Sequence, residues 1–511
     1  MSASTERKLR QAARAAGTDK KMLAAQEAAK KKKQSNLRWT LGTIAVILLI
    51  ALILFLDSGV LYTRTTALTV GDEKYSPAEV NYYYANEYYT MVNQYGSYVS
   101  LFGLNTSNGI SGLDKQSCQM LENGTWRDYF LESAKSSLAQ IKALTDYAKA
   151  NDISLTDEEI AAIDAEFDQL ETTAKTQGYS SANNLLAANY GNGVTTAIAR
   201  QASLDSELAT KAYSTVRDSF TYTAEELEEH YQSYNGDQDY FDFLVYKVAA
   251  VVEEGEEAPS EIALVEAHAD ADAVSMAYSD GADIADIQER FEVAVDSQFE
   301  GQLPTSRSAV LGSSLAAEYK DWLLDSGRAA GDVTVADGTD GSYVVVFLSR
   351  NDNHYKTANI RHILVMAEAS EDGTYSDEAK AAAKARAEEL LAEFNAGDKS
   401  EESFATMANL YSEDGGSNTN GGLYENVPKG QMVEEFDAFC FAGHKPGDTG
   451  IVYGESSSYA GYHVMYYVGE GEQYSDLLAE SDLRSEDMQN WMQEVTAGYE
   501  AVDGPALRRV G

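Results

Sequence analysis

Ile360–Met366 reads IRHILVM and Gly461–Gly469 reads GYHVMYYVG. Both are short apolar runs rich in β-branched and aromatic residues, the pattern of a buried strand. Each carries a histidine, in a chain of 511 residues with only six. Burying imidazole among such neighbours is costly unless its nitrogens are hydrogen-bonded. Two such burials at opposite ends of one domain-sized segment place His362 and His463 together in space. Between the strands lie LYSEDGGSNTNGGLYENV (Leu410–Val427) and KGQMVEEFDAFCF (Lys429–Phe441).

Outside this segment, composition narrows the function classes. Lys and Arg number 39 against 82 Asp and Glu, a net charge of −43. That argues against nucleic-acid binding, which needs a basic surface. The charge is segregated: residues 1–38 form a basic tail of net +8, expected in the cytoplasm, and leave −51 for the rest. Next comes WTLGTIAVILLIALILFL, Trp39–Leu56, without charge or proline. A helix of that length crosses a hydrocarbon layer of ~30 Å. The preceding Lys/Arg cluster sets the N-terminus inside and the remaining domains outside. A transmembrane signal anchor over 39–57 is expected rather than a cleaved signal peptide, because DSGVLYTRT is a poor cleavage site and the leader is long. The expected location is the cell membrane, single-pass, with extracytoplasmic domains. Cys118 and Cys440 read as separate buried thiols.

Residues 58–235 read as a helical domain. Ser76 and Pro77 open one helix, and Thr156 with Glu159 forms a capping box for another. The tyrosine stripe in NYYYANEYY reads as core. Residues 236–352 and 353–472 then repeat one order of strand, helices and closing hairpin, the mark of a diverged duplication. In this register Val344 takes the place of His463 and Phe243 that of His362. Replacing two buried polar partners together by apolar groups is nearly neutral, so 236–352 reads as the fold kept without the pair. Residues 473–511 contain a C-terminal helix, expected to pack on the helical domain.

At RHILV, SFATMANLYSED, the Gly-Gly segment, GQMVEEF, KPGD and GYHVM, taken in that order, the sequence resembles the parvulin family of peptidyl-prolyl cis/trans isomerases. The resemblance covers about Tyr355–Glu472. It implies an α+β fold, with a four-stranded, mainly antiparallel sheet and surrounding helices, and a degenerate parvulin-like copy upstream. It also implies a site: His362, Asp414, His463 and Ser458 as catalytic residues, with Met432, Phe436 and Tyr424 binding substrate. Tyr424 stands where the family often has Leu, and the family's GGDLG is GGLYE here. Less specifically, TALTVGDEKYSPAEVNYYY and YTAEELEEHYQSYNGDQDYF resemble the chaperone domain of SurA/PrsA-type extracytoplasmic foldases. Unfolded or newly exported polypeptides with Xaa-Pro bonds are then the expected partners.

The reaction itself needs no cofactor or metal. Rotation about the peptide bond faces a barrier of ~18–20 kcal/mol, and Xaa-Pro exchange over tens of seconds or longer limits folding. An apolar socket for proline beside polar groups that favour the twisted amide is sufficient. Two readings of the histidine pair stay open: it takes part in this polar wall, or it only orders the sheet. The acidic loop MAEASEDGTYSDE would repel phosphate, so no phosphorylated substrate is expected. Two other functions compete with a membrane-anchored isomerase and chaperone: a non-enzymatic holdase and a surface-exposed binding scaffold.

Overall fold

The computed structural model describes residues 2–17, 20–57, 59–371 and 373–511, with backbone alone at 20–23, 25, 26, 28, 29, 34–38 and 52–57. A continuous helix runs over Lys20–Asp57. The expected membrane span Trp39–Leu56 enters residues whose side chains lie outside the described ones. Among the described residues no helix is long and apolar enough to cross a membrane.

The chain forms two compact units, residues 1–220 with 488–511, and residues 221–487. In the first, the helices Pro77–Tyr95, Trp126–Ala150 and Asp157–Thr176 each begin with a capping box, which satisfies backbone N–H groups that a helix start leaves free. Tyr83, Tyr84 and Tyr88 of the first of these helices are buried, where Tyr84 and Tyr88 meet Phe130 edge-on and Phe130 stacks on Trp126. A small sheet sets strand β1 (Leu68–Val70) between β2 (Glu73–Tyr75) and the strand Ala501–Asp503. Nearby, Trp491 packs edge-on against Tyr147 at 5.1 Å.

The second unit holds two four-stranded antiparallel sheets of the same order. The first is built from β3 (Tyr240–Ala249), β4 (Thr305–Leu311), β5 (Val333–Gly338) and β6 (Gly341–Asn351), arranged β4-β3-β6-β5. The other uses β7 (Lys356–Met366), β8 (Leu423–Val427), β9 (Thr449–Glu455) and β10 (Ala460–Gln473), arranged β8-β7-β10-β9. In each, the first and last strands of the segment form the central pair, so distant residues become neighbours. Side chains alternate between faces. Ile363, Val365, Val464 and Tyr466 therefore pack with the helices Asp377–Ala396 and Glu401–Tyr411. Ile360, Met465 and Tyr467 face the helix Glu434–Cys440 instead, and His362 and His463 share that face by alternation.

Backbone bonding corrects the expected correspondence between the sheets. Gly331 N–H donates to the Phe347 carbonyl, and Gly447 N–H makes the same bond to Tyr467. Phe347 thus matches Tyr467, and Tyr343 matches His463. Across the central pairs Val345 faces Val245 and Met465 faces His362, so Val245 matches His362. Val344 lies on the opposite face, in the cluster with Ala271 and Val274. Phe243 is on the matching face but two residues too early. A slip of one residue turns a strand side chain over, and the Gly-Ser-Tyr and Ala-Gly-Tyr approaches to β6 and β10 conceal it.

Candidate functional site

The second sheet brings five polar side chains into one row. His362 Nδ1 and His463 Nδ1 are 2.9 Å apart, with the rings nearly parallel. His362 Nε2 lies 2.9 Å from Asp414 Oδ2 and 3.1 Å from Ser417 Oγ. At the other end the Tyr459 hydroxyl is 3.0 Å from His463 Nε2. Asp414 Oδ2 also accepts from Ser417 at 2.5 Å and Tyr424 at 2.9 Å, while Oδ1 accepts from Gly416 N–H at 3.0 Å.

Local structure holds Asp414 at this point. The helix Glu401–Tyr411 ends at Ser412, whose hydroxyl accepts from Leu364 N–H, and Glu413 N–H donates to the Leu364 carbonyl. The loop is thereby stitched to β7. Its return needs glycine: Gly422 has φ of +70°, and a Cβ there would lie 2.1 Å from the His362 carbonyl oxygen. The pair Gly421–Gly422 makes the turn, so Glu425 in place of the family's last glycine leaves it intact.

Protonation follows from the donors. The His362 ring beside it, with Ser417, Gly416 and Tyr424, holds the Asp414 carboxyl well below the usual carboxylate range despite partial burial. Burial, then the neighbouring His362, pushes His463 down to about 3. Burial and Asp414 push Tyr424 up to about 12. An ionised Asp414 can only accept, so His362 Nε2–H donates to it, and the close Nδ1–Nδ1 contact holds one proton between the two rings. The row ends on a fixed negative charge.

An apolar wall lies alongside. Phe436 is buried and stands edge-on to both imidazoles, at 5.5 Å from His362 and 5.3 Å from His463. Met432 and Tyr424 pack partly buried against the same cluster. The structure thus gathers His362, His463, Asp414, Tyr424, Phe436 and Met432. It does not gather Ser458, which is exposed and bonds to Ser456. The hydroxyl at the histidines belongs to the next residue, Tyr459, which is long enough to reach His463, four residues further along the chain. Gly454 leaves it room, since a Cβ there would lie 2.6 Å from His463 Nε2 and 2.9 Å from the Tyr459 hydroxyl. Ser417, inside the glycine-rich GGSNTNGG, is fully buried. A serine three residues after an aspartate in a glycine-rich return was the available signal.

Residues 344–467 match the PPIC-type PPIASE domain family. The chain therefore carries a parvulin-type peptidyl-prolyl cis/trans isomerase domain, and the row of polar residues lies within it. Among solved structures the chain is similar to PrsA from Bacillus subtilis, at 13% identity over 73% of this chain and 87% of that one, with a TM-score of 0.27. It is also similar to the foldase protein PrsA from Streptococcus pneumoniae, at 13% identity over 74% and 88%, with a TM-score of 0.26. The match to the peptidylprolyl isomerase PrsA from Bacillus anthracis has 18% identity and a TM-score of 0.18, and covers 29% of this chain and 60% of that relative's length. No curated protein matches the chain.

Proposed function

We propose that this protein is a membrane-anchored, extracytoplasmic isomerase and chaperone acting on unfolded or newly exported polypeptides with Xaa-Pro bonds. The observation that carries the isomerase reading is the contact of an ionised, multiply hydrogen-bonded Asp414 with a histidine row beside the Phe436–Met432 wall. Proline enters the apolar side, and the preceding amide twists against the polar side. Twisting breaks no bond, so Asp414 acts through its field rather than as a nucleophile. The histidines and Tyr459 hold that carboxylate in position.

The chaperone reading rests on the first unit. A cavity of about 530 Å³ there has an aromatic wall that includes Tyr82, Tyr89, Phe167 and Tyr190 and a polar side that includes Glu166 and Asn189, suited to both the apolar side chains and the polar backbone of an unfolded segment. The anchor reading rests on the charge-free run from Trp39 and on Leu41, Ile44 and Val46–Ile50, which are exposed on one continuous helix. The first sheet of the second unit, with Val245 and Tyr343 at the histidine positions, is proposed to be an inactive copy. The deciding experiment measures cis/trans exchange of an Xaa-Pro peptide with the full chain. Acceleration is expected, and no acceleration leaves the holdase and the binding scaffold.

A further inference from the structure

A second, cation-lined cavity of about 420 Å³ lies in the first unit and shares the helix Ala182–Tyr190 with the aromatic one. Three arginines, Arg127, Arg508 and Arg509, and one acid, Asp114, are in its lining. Its charged side chains sum to +2, in a chain whose residues beyond the N-terminal tail sum to −51. Arg127 organises the wall: its Nε donates to the Val510 carbonyl at 2.9 Å and its Nη2 to that of Leu507 at 3.3 Å. That contact holds the short helical turn Leu507–Arg509 against the helix Trp126–Ala150. Among the described residues neither Arg508 nor Arg509 forms an ion pair, and Arg127 pairs only with the half-exposed Asp128, at 3.7 Å.

An independent observation points to the same place. Tyr84 lines this cavity, its side chain is fully buried, and its hydroxyl has no hydrogen-bond partner. A buried donor left unpaired is costly, and guanidinium groups without carboxylates are suited to an oxyanion. We infer that this cavity is a binding site for a phosphate-class anion, held by Arg508 and Arg509. Two sources have that chemistry: free phosphate, and the phosphodiester of a lipid headgroup. Tyr62, in the short helix that follows the apolar one, also lines the cavity, so both sources are tested.

The full chain, kept in a neutral detergent, is titrated with inorganic phosphate and separately with dihexanoyl phosphatidylglycerol below its micelle concentration, with heat as the readout. Saturable binding of at least one is expected. Arg508→Gln/Arg509→Gln should weaken it about tenfold or more. Tighter binding of the diester identifies the lipid headgroup as the source, and tighter binding of phosphate the free ion. No saturable binding of either probe overturns the inference, as does binding unchanged in the double arginine variant while circular dichroism stays native.

Discussion

His362 and His463 meet Nδ1 to Nδ1 at 2.9 Å, a contact with room for one proton. One ring must donate and the other accept, so the pair has a direction. That direction is set from outside, by Tyr459 at one end and Asp414 at the other.

The pair should therefore behave as a unit in stability. His463→Phe alone leaves His362 Nδ1 and the Tyr459 hydroxyl unpaired, at a cost of about 1–3 kcal/mol each. His362→Val alone strands His463 Nδ1 and removes a donor from Asp414. The double variant should cost at least about 1 kcal/mol less than the two singles added, because no buried nitrogen remains. The first sheet keeps the same strand order with Val245 and Tyr343 in these places. Urea unfolding, read by hydrogen exchange at β7 and β10 amides, measures the cycle, and strict additivity would refute the coupling.

Asp414→Asn keeps the size of the side chain and removes its charge. The three donors on Oδ2 then lose a charged acceptor. If that charge supports the twisted amide, kcat/KM for an Xaa-Pro peptide should fall about 10- to 100-fold, with client binding by the first unit unchanged. A rate equal to that of the parent would remove Asp414 from the reaction.

Much of this arrangement is legible in the sequence, and the reasons are local. Two histidines inside strand-like apolar runs need partners, which is enough to bring β7 and β10 together. Asp414 is marked by its place in YSED. Side-chain reach and pleat phase are not so marked. Ser458 and Tyr459 both carry hydroxyls in the same turn, and only the backbone path past Gly454 shows that the longer one arrives. Ser417 looks like loop filler until the return through Gly421 and Gly422 buries it. The Val344–His463 correspondence fails by one residue because two aligned tyrosines, Tyr343 and Tyr462, point to opposite faces.

Met432 separates binding from chemistry better than Phe436 does. Phe436→Ala would open a cavity behind both imidazoles, costing about 3–5 kcal/mol, and would confound any rate. Met432 is only partly buried at the edge of the same cluster. Met432→Ala should raise KM for proline peptides several-fold with a smaller change in kcat. Exchange rates across a range of peptide concentrations test this, and an unchanged KM would place the proline ring elsewhere.

Acidification should loosen the second sheet, and the sign follows from His463. Its ordinary value of 6.5 falls to about 3 in the fold, so the unfolded chain takes up the proton first as pH drops. Stability is then complete above about pH 6.5 and declines toward pH 3. Near pH 5 this is a loss of about 2 kcal/mol. Asp414 acts in the same sense, since its lowered value stabilises the fold above the ordinary carboxylate range and is lost below it. His268 opposes it, because its bond to Asp337 raises its value, a stabilisation present at low pH and lost as pH rises. The readout must be local for that reason. Hydrogen-exchange protection of β7 and β10 amides should fall between pH 7 and pH 5, after correction for intrinsic exchange, and His463→Phe should flatten that fall. An equal fall in the parent and the variant would assign the acid sensitivity to another group.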